Sequence, residues 1–280
     1  MTGTETVRPA ERNRAGYSTP GLPATVAAEW TKLRALRSTW LTLLIAAVAG
    51  IGFSALLALA IGSSAGMSEQ QRADIDPAGG AVAGLTFAVV LFIVLGVNAA
   101  APEFSSRMIG VTLTVTPRRG RLVAAKGIVL GLLTLVAGAL CAVLAFFVGG
   151  AVLSGHDVTM PGLGDPEVLG VLGGWIAQLV TFALLGLAVA ILLRSAAGAI
   201  ALLLAVLFLP AMFGAMLPDW MSEGVIRFLP GSIAENLTMA EPDPDSLTYL
   251  PPAVAGLLLA AWVVLALAAA RGALSARDAR

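Results

Sequence analysis

The chain has 280 residues, 58% of them hydrophobic and only 12% charged, with a mean hydropathy of +0.90 and a net charge of zero. Soluble domains carry about 25% charged residues, so the solvent for most of this chain must be lipid, and the balanced charge gives no sign of a nucleic-acid partner. One cysteine and one histidine exclude an intrachain disulfide and a zinc or iron–sulfur centre.

In chain order, residues 1–24 are rich in Pro, Gly, Ser, Thr and Arg. They are expected to form a disordered tail, too polar for a cleavable leader. Over 25–39, Val26, Trp30, Leu33 and Leu36, with Trp40 beyond, recur on one helical side. This predicts an interfacial amphipathic helix with Trp anchors, or simply the flank of the first span. Glu29 and Arg37 interrupt the stripe.

Six apolar runs follow, at about 40–61, 81–101, 127–153, 169–193, 198–217 and 252–270, none with an ionisable residue between its ends. A helix needs about 20 apolar residues to cross the hydrocarbon, and these runs are too long and unbroken for barrel strands. The predicted fold is an all-α membrane protein with six transmembrane helices over 40–270 and a short tail at 271–280.

Within the spans, Asn98, Thr134, Gln178 and Thr181 are the polar side chains of note, and they should face other helices. Two readings stand for Asn98 and Gln178: interhelical packing, or the lining of a path. Cys141 reads as a small buried residue. Pro210 is expected to kink the fifth span. Three G-x-x-x-G pairs, Gly80/Gly84, Gly127/Gly131 and Gly170/Gly174, permit close helix contact without assigning a dimer face. Residues 218–251 are long and apolar for an outer loop, which suggests short helices resting on the membrane face.

"GSSAG" at 62–66 matches G-x-S-x-G around Ser64. The strand–turn–helix context is absent, and the single His156 sits in a turn-like "SGHD", so a membrane serine protease is a remote alternative. No G-x-x-x-x-G-K-[ST] occurs, so the chain has no phosphate cradle of its own.

An even span count puts both termini on one side, and basic residues choose the side. With the termini cytoplasmic, fifteen of the seventeen Lys and Arg fall inside and only Arg72 and Arg227 outside. The cytoplasmic segment 103–126 holds five of them. Glu103 suits a first helical turn, and Arg107 lies four residues on. Phe104, Met108 and Val111 repeat at helical spacing. Thr116 and Pro117 end that pattern, and Arg118, Arg119, Arg121 and Lys126 follow. Such a segment is either a surface helix in anionic lipid or a docking element for a cytoplasmic partner.

Glu103, Pro117, the cluster Arg118, Arg119 and Arg121, and Lys126 follow the order of the corresponding loop in permeases of type-2 ABC (ABC-2) exporters. "EWTKLRALRSTWLTLL" from Glu29 is also similar to the pre-span segment of bacterial members. Span count and loop lengths extend the resemblance over nearly the whole chain. It departs at Arg107 and Met108, where many members have Gly-Thr. The resemblance implies that 103–126 is a coupling helix seated in a groove of an ABC ATPase subunit. Glu103, Arg107, Pro117, Arg118, Arg119, Arg121 and Lys126 would then form the contact. It further implies a homodimer or a pair with a related permease, ATP and Mg on the partner ATPase and no cofactor on this chain, in a bacterial cytoplasmic membrane. The alternatives are a gradient-driven carrier, against which the lack of ionisable residues in the spans argues, and a non-transporting membrane assembly protein.

Overall fold

The computed structural model describes residues 21–63, 76–101, 119–213, 216–240 and 242–276. Among them the regular structure is entirely helical: α1 (Leu22–Ala35), α2 (Arg37–Gly62), α3 (Pro77–Val82), α4 (Leu85–Asn98), α5 (Arg119–Ser154), α6 (Pro166–Leu193), α7 (Ala196–Phe213), α8 (Asp219–Gly224), a 3-10 turn (Ile226–Phe228), α9 (Pro230–Thr238) and α10 (Pro252–Ala276). Of these, α2, α5, α6, α7 and α10 are long and apolar enough to cross a membrane, and α4 is a shorter apolar helix.

Spans that follow one another in the chain run antiparallel, whereas α4 and α6 run parallel, as do α2 and α5. Gly50 of α2 lies against Ala88 and Gly80 against Ile61. On the next seam Gly96 meets Ala183, and Gly186 meets Ile93. Gly120 and Gly127 of α5 face Arg271 and Leu267 of α10. The bundle therefore has a basic end, with Arg37, Arg121, Lys126, Arg194 and Arg271, and an opposite end rich in carboxylates, with Asp76, Asp157, Asp165, Asp219 and Glu235.

At the centre stands α6, which touches α4, α5, α7, α9 and α10. Its apolar window is 61% buried, against 17% for α7 and for α10. Phe92, Ile93, Leu130, Leu179, Phe182 and Leu187 fill the core around it. A second small core joins α9 to α10 through Ile233, Ala234, Leu250, Ala255 and Leu259. The outer flanks of α2, α7 and α10 keep large apolar side chains exposed, among them Val48, Leu56, Leu209, Leu257 and Leu265. Only lipid or another membrane helix can cover such a surface.

Three features differ from the expectations. The second span is not one helix over 81–101 but the pair α3 and α4, broken at Ala83 and Gly84. Gly84 packs directly on the backbone of Ser54, where any side chain would overlap the α2 amide. The turn tightens there into short i+3 hydrogen bonds, from Thr86 N–H to the Ala83 carbonyl (3.3 Å) and from Phe87 N–H to the Gly84 carbonyl (3.1 Å). Alone, α4 covers only about 21 Å, short of the roughly 30 Å hydrocarbon layer. Second, α5 begins at Arg119 rather than near 127. Its 36 residues contain no proline and make a helix of about 54 Å. Third, the buried side of α1 is Thr25, Glu29 and Leu33, while Trp30 and Trp40 face outward. The extended residue Leu36 separates α1 from α2, and the Trp40 indole bridges the joint by donating to the Arg34 carbonyl at 3.0 Å.

The short link between α6 and α7 is closed by two local devices. Arg194 takes a left-handed φ of 52° while its N–H still reaches the Ala190 carbonyl. The Ser195 hydroxyl then accepts the Gly198 N–H at 3.1 Å. Pro210 lies inside α7, as expected from the sequence. It has no N–H for the Val206 carbonyl, and Gly231 of α9 packs against that same carbonyl.

Candidate functional site

Two places in the bundle hold polar groups where apolar packing would suffice. The first is at the basic end. Glu29 lies on the face of α1 that rests on α5 and is only 3% exposed. Its Oε2 is 2.8 Å from Nζ of Lys126, and its Oε1 is 2.8 Å from Nζ of Lys32. Lys126, 6% exposed, also donates to the Ala99 carbonyl at the C-terminus of α4, at 3.1 Å. Burial on its own would raise the Glu29 carboxyl. The charge and hydrogen bond of Lys126, with those of Lys32, outweigh it and hold the group below the usual carboxylate range. One ammonium thus ties α1, α4 and α5 together.

Of the residues expected to meet a partner, Glu103, Arg107, Pro117 and Arg118 lie outside the described residues. Arg119 opens α5, and Arg121 is half-buried in its first turn. The Arg271 side chain crosses α5 at Gly120, in the turn that also carries Arg121. Lys126 departs from that group: its ammonium is turned inward to Glu29 rather than presented to a partner. Glu29 enters the sequence reading only as an interruption of the apolar stripe. The signal that reveals it is a carboxylate on a face that must be buried, which requires a cation from elsewhere in the chain.

The second place is at the opposite end, where a cavity of about 320 Å³ lies between α3, α4, α6, α7 and α9. Close packing of α9 on α6 shapes its wall, since Gly174 lies directly on the Leu237 carbonyl and no side chain would fit. Asp76 caps α3 by accepting the Gly79 N–H at 2.7 Å, and its second oxygen accepts the Ala240 N–H at 3.3 Å. Glu235 lines the cavity and is exposed, yet the surrounding protein raises its carboxyl above its ordinary value by desolvation. Gln178 and Trp175 line the same space and are each 6% exposed. Neither the Gln178 Oε1 nor the Trp175 Nε1 has a hydrogen-bond partner among the described residues.

The structure does not bring Asn98 and Gln178 together. Asn98 is exposed at the basic end, beside a crevice of only about 10 Å³ with Leu36 and Thr39. Of the other polar span residues, Thr134 satisfies its hydroxyl on the Leu130 carbonyl of its own helix. Sequence reasoning missed Glu235, and also Asn236, whose amide clamps the following turn. Asn236 Nδ2 donates to the Ser232 and Thr248 carbonyls, and its Oδ1 accepts the Leu250 N–H. Loop residues without periodicity give no local sign of such burial.

A third concavity, of about 500 Å³, opens between α1, α2 and α5 and is walled by Trp30, Trp40, Val129, Leu133 and Leu140. Its apolar walls suit lipid chains. His156 packs on Gly62 and donates from Nδ1 to the Val152 carbonyl at 2.9 Å, while Ser64 lies outside the described residues. Among the described residues no group of three or more His, Cys, Asp or Glu converges as a metal site.

The family model of the ABC-2 family transporter proteins matches residues 25–211. The match opens at Thr25, on the buried ridge of α1, and closes just after Pro210 in α7. It includes Glu29, Lys126 and Gln178 and leaves Glu235 outside. No individually curated protein matches the chain significantly. Permeases of this kind are multi-pass transport subunits, not themselves catalytic, that generally work with separate ABC ATPase subunits. The helical bundle and a match over about two thirds of its length place this chain in the ABC-2 transporter family.

Proposed function

We infer that this chain is the permease of an ATP-driven exporter in a bacterial plasma membrane, with both termini and the basic end cytoplasmic. It works as a dimer, with itself or a related permease, and two ATPase subunits bind ATP and Mg. They act on the segment 103–126, with Arg118, Arg119 and Arg121 as contacts and Glu103 with Arg107 stiffening the helix. The observation that carries this reading is the buried Lys126. A force applied just ahead of α5 is shared at once with α1 through Glu29 and with α4 through the Ala99 carbonyl. ATPase closure would thereby tilt the second and third spans together and open the acidic end outward.

The test uses proteoliposomes containing the permease and its ATPase. Replacing Arg118, Arg119 and Arg121 by Glu is expected to abolish ATP-dependent efflux and ATPase association while insertion persists. Topology is checked first with a cysteine at position 119 in a Cys141→Ala background. Labelling of that cysteine from outside the cell, or unchanged ATPase association of the triple variant, would overturn the reading. Flux driven by an ion gradient without the ATPase would favour a secondary carrier.

A further inference from the structure

The cavity at the acidic end contains more polar chemistry than its packing requires. Asp76 is committed to structure, since one oxygen caps α3 and the other holds Ala240. The Glu235 carboxyl differs: it has no hydrogen bond or ion pair among the described residues. Gln178 Oε1 and Trp175 Nε1 share that condition from the facing helix. A buried polar atom left unpaired costs about 1–3 kcal/mol. Two such atoms, beside the exposed Glu235 carboxylate, describe a site that is completed by something else.

The donor and acceptor pattern says what that is. A carboxylate asks for a cation, the Gln178 oxygen for a donor, and the indole N–H for an acceptor. The Trp175 ring, Leu207 and Phe208 add apolar and aromatic wall that suits a short carbon skeleton and a cation over a ring face. A volume of about 320 Å³ matches the lower end of small-molecule pockets, roughly 300–1,000 Å³. Anions are disfavoured by Glu235 and Asp76 together. A bare metal ion would find those two carboxylates only, and one is already engaged.

We propose that this cavity binds a small organic cation that also carries a hydrogen-bond acceptor, with its ammonium between Glu235 and Gln178 and its acceptor on the Trp175 indole. The site lies where the proposed exporter would release cargo, so its role as a cargo site rests on that reading. Binding itself does not. Glu235 and all of α9 fall outside the 25–211 family match.

The experiment is equilibrium binding of radiolabelled tyramine to the purified full-length chain in detergent, without ATPase. The control ligand is 3-(4-hydroxyphenyl)propionate, which replaces the ammonium by a carboxylate. Tyramine should bind saturably and the acid should not. Glu235→Gln, isosteric and free of lost contacts, should weaken tyramine by about tenfold or more with an unchanged melting midpoint. Trp175→Phe should weaken it by roughly threefold or more. A cavity that holds only water gives no saturable binding. That result, equal binding of the acid, or an unaffected Glu235→Gln variant would overturn the proposal. Efflux in proteoliposomes separates the two readings. ATP-independent tyramine flux sinks the exporter and leaves the site, whereas ATP-driven flux of other cargo without tyramine binding sinks the site alone.

Discussion

At the basic end, the Glu29 carboxylate lies 2.8 Å from both Lys126 and Lys32, and Lys126 has a carbonyl besides. At the acidic end, Glu235, Gln178 and Trp175 surround an open volume and leave polar groups unmet. Glu29 and Lys126 are buried in the first set, and Gln178 and Trp175 in the second, where Glu235 is exposed. The first is complete within the chain and joins three helices into one body. The second is incomplete and has room for a guest. The contrast teaches that the satisfaction of a buried polar group, more than its presence, separates a joint from a binding site.

The sharpest way to break the comparison is to empty one half of the joint. Lys126→Met leaves Glu29 buried with only Lys32, whose side chain is 47% exposed. It is expected to destabilise the protein by about 3 kcal/mol and to expose α1 to protease. Combining it with Glu29→Leu should recover most of the loss, because two apolar groups replace two charges. Melting of the purified protein reads both variants, and equal loss in the single and the double would show that the pair holds nothing.

A smaller effect follows from proton linkage. The folded Glu29 carboxyl lies below its ordinary value of 4.5, so the unfolded state binds its proton first as pH falls. The stabilisation is complete above that ordinary value and is lost as pH drops through the lowered folded value. An environment-sensitive label at the exposed Thr31 should therefore report α1 in place at neutral and mildly acidic pH and displaced only in stronger acid. In Lys126→Met, burial acts with much less opposition and the transition should move upward. An unmoved transition would assign it to another group.

The smallest effects compare the two polar residues that the sequence singles out as candidate path lining. Gln178→Leu removes an unpaired buried oxygen, so the empty protein should be unchanged or more stable by about 1 kcal/mol, while tyramine binding weakens. Asn98→Ala touches an exposed position and should stay within about 0.5 kcal/mol with binding intact. If the two variants behaved alike in binding, the cavity would lose its claim to be distinct from the general span surface.

Much of the architecture is legible from run length, because a stretch that must dissolve in lipid announces itself by composition. The limits of legibility are physical. Ala83 and Gly84 break the second span within a uniformly apolar run, and only the backbone of Ser54 pressing on Gly84 explains the break. The helix α5 starts at Arg119 although polar residues precede the apolar run, since helix continuity there is set by packing and not by hydropathy. Lys126 looks like one more residue of a basic cluster, because its partner is 97 positions away. Gln178 stands out as a lone amide in a span, but Glu235 belongs to a segment that reads as a loop resting on the surface. Its role appears only when α9 is seen seated on α6 at Gly174.

The unbroken length of α5 carries a mechanical corollary. A continuous helix of about 54 Å that leans as a unit by roughly 10° about one end sweeps the other through about 9 Å. Its first turn bears Arg119 and Arg121, and its last turns touch Ala81 beside the acidic-end cavity. If a partner leaned α5 at its arginine end as proposed above, the far side would be displaced by more than the roughly 5.4 Å pitch of a helical turn, with no proline along the way to absorb it.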